Sequence, residues 1–111
     1  MEIPILNEKF GNSIGAFDDI VSLKDVYKKH FKIGTATRVA EISPKTTQKL
    51  ILKHFNSLTP GNELKPDSCL DRANTLKESE KTGDYTNPVV RIGAAQPILD
   101  FAAANEIPVR G

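Results

Sequence analysis

An α/β architecture of parallel strands is the fold class that this sequence predicts, and two observations predict it. Segments with a helical spacing of apolar residues alternate with short strand-like segments, in the order helix, strand, helix, strand, long loop, helix, strand. The helix between the first two strands also opens on a clear start signal, Ser-Pro. Strands alternating with helices pair in parallel through right-handed crossovers. Loops that follow the strands of such folds carry ligand sites.

Residues 1–21 read as irregular, punctuated by Gly11, Asn12, Ser13 and Gly15. The first helix is predicted in "SLKDVYKKHF" (22–31), with Ser22 as the cap and Asp25 at the third helical position. Leu23, Val26, Tyr27 and His30 share one face there. "FKIGTAT" (31–37) alternates and reads as a strand, with Gly34 and Ala36 where a neighbour packs closely. In "SPKTTQKLILKHF", Ser43 is the expected cap and Pro44 the first helical residue. "FNSLT" (55–59) is the second strand. The stretch 60–88 is polar and broken by Pro60, Gly61, Pro66, Gly83 and Pro88, so it reads as a long loop with at most a helical turn near 72–84. "IGAAQPILDFAAANE" is a helix whose regular part starts at 94–96, because Pro97 is tolerated only near the first turn. Ile98, Phe101 and Ala102 share its inner face, and Asn105 is the stop. "IPVRG" (107–111) begins a third strand.

Composition narrows the function classes. The 111 residues suffice for one ordinary domain, and 39% hydrophobic with 26% charged content is that of a soluble globular protein. A net charge of +1 argues against a nucleic-acid partner. The lone Cys69 excludes an internal disulfide and a multi-cysteine metal site. No apolar run reaches the ~18–20 residues of a membrane span. "MEIPILNEKFGNSIGAF" lacks the basic and apolar regions of a signal peptide. No cofactor motif and no metal-ligand spacing are present.

The loop after the second strand, "PGNELKPDS" (60–68), gathers Asn62, Glu63, Lys65 and Asp67. An amide beside an ammonium suits a hydroxyl-rich ligand, whereas phosphate would favour a glycine-rich cradle. A solvated turn is the plainer reading of the same composition. The pairs Asp18/Asp19 and Glu63/Asp67 do not have a diagnostic spacing, since a glycosidase needs two carboxyls facing each other across a bond. Asp18 and Asp19 are expected in solvent. His30 and His54 read as helix-end residues, Cys69 as a small buried apolar residue, and Arg110 as a core ion-pair partner rather than a site residue.

Taken together and in order, "LKDVYKKHFKIGTAT", "ILKHFNSLTPGNELKPDS" and "ILDFAAANEIPVRG" resemble the beginning of a family 10 glycoside hydrolase, an endo-1,4-β-xylanase. The resemblance covers residues 22–68 and 88–111, and the run around Asn62 and Lys65 is its most specific part. It implies a (β/α)8 TIM barrel, of which this chain would be an incomplete part: strands one to three with the intervening helices. The whole of 1–111 would then be the N-terminal part of a single catalytic barrel domain. The resemblance also implies that Asn62 and Lys65 bind sugar on the glycone side of xylan or a xylo-oligosaccharide, with Glu63 as a further candidate contact. Where the family more often has a Glu before that Asn, this chain has Gly61. The catalytic acid/base and nucleophile follow strands four and seven in the family, so no catalytic residue is expected in this chain. The remaining C-terminal part of the same barrel is its expected partner, because a barrel of this kind needs about 250 residues. The enzyme so completed would cleave xylan with retention and would be extracellular. A small non-catalytic α/β carbohydrate-binding module is the alternative, and it would unfold cooperatively on its own.

Overall fold

The computed structural model describes residues 19–111. The expectation for the irregular start lies almost wholly outside the described residues, as does Asp18; Asp19 is exposed.

Two parallel strands form the centre. β1 (Gly34–Thr37) pairs with β2 (Ser57–Pro60) in the register Gly34 to Ser57 through Thr37 to Pro60. The third strand is reduced to one parallel bridge between Leu58 and Val109. Leu58 N–H donates to Pro108 O at 3.0 Å, and Arg110 N–H donates to Leu58 O at 2.8 Å. Leu58 therefore sits between two parallel neighbours and is fully buried. Asn56 fixes the entry to the pair: its Oδ1 accepts from Ile33 N–H at 2.8 Å while its own N–H donates to Ile33 O at 2.9 Å.

The helices differ from expectation in instructive ways. α1 (Leu23–Val26) is a single turn, although Ser22 caps it as expected, accepting from Asp25 N–H at 3.4 Å. Its apolar face is not buried; Leu23 and Val26 are exposed, and Tyr27 stacks on Phe31. α1 instead closes the C-terminal end of the next long helix. Ser22 Oγ donates to Lys53 O at 2.5 Å and Lys24 Nζ to Leu52 O at 2.6 Å, satisfying carbonyls that a helix end leaves open. An unexpected one-turn helix, α2 (Val39–Ile42), follows β1. It consumes the residues ahead of α3 (Lys45–His54), so Ser43 does not cap α3. Ser43 Oγ bonds back to Val39 O at 2.8 Å, and Pro44 is the cap residue rather than the first helical one.

The stretch read as loop holds α4 (Pro66–Cys69) and the three-turn α5 (Arg72–Thr82). α5 carries no apolar stripe, which is why spacing alone did not reveal it. Its ends do carry signals: Asp71 accepts from Asn74 N–H at 3.1 Å, and Gly83 takes the left-handed conformation (φ 75°) at the C-terminal cap. A 3-10 turn (Gly93–Ala95) leads into α6 (Gln96–Ala104), with Pro97 in the first turn and Asn105 as the cap, as predicted.

Ile42, Ile51, Leu58, Ile98 and Ala102 form the core, with Val39, Phe55, Phe101, Ile107 and Val109 packed against it. Thus α2, α3 and α6 pack on one side of the parallel backbone. One packing expectation fails. A Cβ on Gly34 would meet Ser57 Cβ at an ordinary 3.4 Å, and Ala36 is exposed. Arg110 is exposed and without an ion pair among the described residues, on the side of its segment opposite Val109 and away from the helix-covered core. Among the described residues no helix is long and apolar enough to cross a membrane.

Candidate functional site

Parallel pairing brings the loops after β1 and β2 together at one edge. Gly61 N–H donates to Thr37 O at 2.8 Å, extending the ladder by one residue. The far end of the third segment reaches the same place, since a Cβ on Gly111 would lie 3.5 Å from Leu64 Cδ1.

The sequence-predicted residues stand on a tight turn at this edge. Lys65 N–H donates to Asn62 O at 3.1 Å, and that closure puts side chains three residues apart on one side. Lys65 Nζ donates to Asn62 Oδ1 at 2.8 Å. Lys65 is exposed and Asn62 half-buried. Pro66 then opens α4, whose Ser68 and Cys69 N–H groups both donate to Lys65 O, which pins the Lys65 backbone. Lys65 uses one of its three donors on Asn62, leaving two for a ligand, and the Asn62 amide keeps its NH2 among the described residues.

Glu63 occupies a different role in the geometry. Its Oε1 accepts from Val39 N–H and its Oε2 from Asn62 N–H, both at 3.1 Å. Burial raises its pKa. The N–H groups of Asn62, Val39 and Glu63 itself, together with the Arg38 charge, outweigh burial and hold it below the ordinary value. The carboxylate thus fastens the β2 loop to the start of α2.

Other candidates separate cleanly. Asp67 is exposed in the first turn of α4, whereas both carboxylate oxygens of Glu63 accept backbone N–H groups. His54 is buried at the end of α3, where Nδ1 accepts from Leu23 N–H at 3.1 Å, in keeping with a packing role. His30 is exposed. Cys69 is half-buried, and its thiol donates to Glu63 O at 3.4 Å. No group of three or more His, Cys, Asp or Glu among the described residues is placed to hold a metal.

Sequence reasoning missed Arg38, the residue after β1. A Cβ on Gly61 would come within 3.1 Å of Arg38 Cγ. The signal available was positional: both residues directly follow a strand of a parallel pair.

Comparison with known proteins gives the family. Residues 22–111 match the model of glycosyl hydrolase family 10. The chain is 37% identical over 100 residues to the bifunctional endo-1,4-beta-xylanase XylA of Ruminococcus flavefaciens, covering 90% of this chain and 10% of that protein. It is 47% identical over 94 residues to endo-1,4-beta-xylanase A of Thermotoga maritima, covering 84% and 8%. Among solved structures, the CBM22-1–GH10 modules of the N-terminal endo-1,4-beta-D-xylanase 10B of Clostridium thermocellum, complexed with xylohexaose, superpose with a TM-score of 0.67 at 36% identity. That match covers 81% of this chain and 16% of that one. Xylanase XynB of Paenibacillus barcinonensis gives 0.63 at 32% identity, covering 84% and 23%. The chain spans between 8% and 22% of the length of these curated relatives. Its β1, β2 and bridged third segment form an incomplete (β/α)8 barrel, and the chain belongs to glycosyl hydrolase family 10.

Proposed function

We propose that this chain is the N-terminal part of the single catalytic barrel of an endo-1,4-β-xylanase that hydrolyses internal β-1,4-xylosidic bonds with retention. Within it, Asn62 and Lys65 donate hydrogen bonds to sugar hydroxyls on the glycone side, and Glu63 holds their loop in place. The observation that carries this reading is the 2.8 Å contact between Lys65 Nζ and Asn62 Oδ1 at the strand end, in a chain of this family. A lysine braced on an amide presents its remaining donors in a fixed direction, which suits a polyol.

The two catalytic carboxyls lie outside this chain on this reading. Glu63 is unsuited to either role, because both of its oxygens accept backbone bonds. The remaining part of the barrel supplies the acid/base and the nucleophile, about 5–5.5 Å apart as retention requires. This chain by itself is then inactive, and the complete enzyme acts outside the cell on xylan. Half or more of the Val21, Phe31, Tyr85 and Val90 side chains stands exposed, which favours a partial barrel over a self-sufficient binding module.

Product analysis tests the reaction. The full-length enzyme containing this segment, incubated with xylohexaose, should release shorter xylo-oligosaccharides whose new reducing ends appear first as the β-anomer in proton NMR. Initial release of the α-anomer would exclude retention. No cleavage of xylohexaose or of xylan would exclude the xylanase reading.

A further inference from the structure

We propose that Arg38 makes the glycone side selective for xylo-oligosaccharides that carry a carboxylate, a uronic-acid substituent, beside the sugar held by Asn62 and Lys65. This inference rests on the xylanase reading and adds a substrate preference to it.

The placement comes from the parallel pair. Thr37 and Pro60 are register partners, so Arg38 and Gly61 leave the sheet side by side, tied by the Gly61 N–H to Thr37 O bond. Gly61 directly precedes Asn62. A Cβ at position 61 would come 3.1 Å from Arg38 Cγ, so a side chain there would push the arginine stem aside by a few tenths of an ångström. The backbone does not require glycine at this position, because Gly83 is the glycine with positive φ among the described residues. Glycine at 61 therefore lets the Arg38 stem lie close against the start of the loop.

Arg38 is exposed, and among the described residues no ion pair occupies its guanidinium. The acids around it are engaged elsewhere: Glu41 Oε2 accepts from the Arg38 backbone N–H at 2.8 Å, and both Glu63 oxygens accept backbone N–H groups. Arg38, beside Gly61, and Lys65, on Asn62, thus bring two cations to the same loop; the Arg38 charge is felt by Glu63, but both oxygens of that carboxylate accept backbone N–H groups. An uncharged pentose needs hydrogen-bond donors but no second cation. A planar guanidinium matches a carboxylate bidentately, and a lysine in its place would not.

The test compares kcat/KM of the full-length enzyme on two substrates: neutral xylotetraose, and the same oligosaccharide bearing a glucuronic acid on its glycone half. Wild type should prefer the acidic substrate, and raising the salt should shrink the preference. Arg38→Gln should lower the acidic-to-neutral ratio about tenfold, as loss of one charge-assisted hydrogen bond predicts. Arg38→Lys, which keeps the charge without the fork, should retain part of the ratio and serves if the glutamine variant does not fold. A wild type that cleaves neutral xylotetraose without preferring the acidic form would overturn the proposal and leave the xylanase reading standing. Equal losses on both substrates in Arg38→Gln would overturn it in the same way. A wild type that cleaves neither substrate would overturn both.

Discussion

Glu63 Oε1 accepts the backbone N–H of Val39 at 3.1 Å, and through that bond the loop after β2 is held on the first residue of α2. The same carboxylate accepts Asn62 N–H with its other oxygen. One side chain thus sets the position of a site residue relative to the strand beside it, and several measurements follow from that link.

The first concerns pH. The net effect on Glu63 lowers its pKa below the ordinary 4.5. A group whose folded pKa is depressed adds stability above its unfolded value and loses it as the pH falls through the folded value. The melting temperature of wild type should therefore exceed that of Glu63→Gln at neutral pH, and the gap should close as the pH falls below about 4.5. A gap of constant size from about pH 3 to 7 would show that the ionised carboxylate does not contribute.

Core packing gives the second. Ile98 is fully buried on α6 among Ile42, Ile51, Leu58 and Ala102. Ile98→Ala should destabilise the enzyme by about 2–5 kcal/mol through lost burial and a residual cavity. Lys49 is exposed on α3, and Lys49→Ala should stay within about 0.5 kcal/mol. Denaturant unfolding of both variants checks the contrast, which vanishes if α6 does not pack as described.

The third concerns α5, a helix held by its ends rather than by an apolar face. Asp71 caps it and also meets Arg91 at 2.5 Å, while Asp71 N–H donates to Val89 O and Arg91 N–H to Cys69 O. The short antiparallel bridge between Leu70 and Val90 lies between these bonds. Asp71→Ala should speed amide exchange across residues 72–75, because Asn74 N–H loses its acceptor. Arg91→Ala should change it little, as the Arg91 side chain is 68% exposed and solvent screens the pair.

These cases also show what the sequence made legible. The alternation of elements, the strands near 34–37 and 57–60, the α6 start at Pro97 and its stop at Asn105 were all readable, because period and cap residues are local signals. α5 was misjudged because its spacing is polar throughout, although Asp71 and Gly83 marked both ends. Ser43 looked like a cap but serves α2, a turn too short to leave a periodic trace. Asn62 and Lys65 were singled out as candidates from the loop's composition and from family resemblance. Their contact follows from the local turn between Asn62 and Lys65, whereas the inward turn of Glu63 and the nearness of Arg38 depend on strand register, which no local pattern encodes.

The most direct test of the central claim is a double-mutant cycle on the pair that meets at the strand end. kcat/KM of the full-length enzyme on xylotriose and xylotetraose would be measured for wild type, Asn62→Ala, Lys65→Ala and the double variant. If the two side chains grip the glycone as a unit, each single change should cost about tenfold or more, and the double change clearly less than the product of the two. Unchanged kcat/KM in Lys65→Ala would contradict the assignment of this loop as the sugar-binding edge.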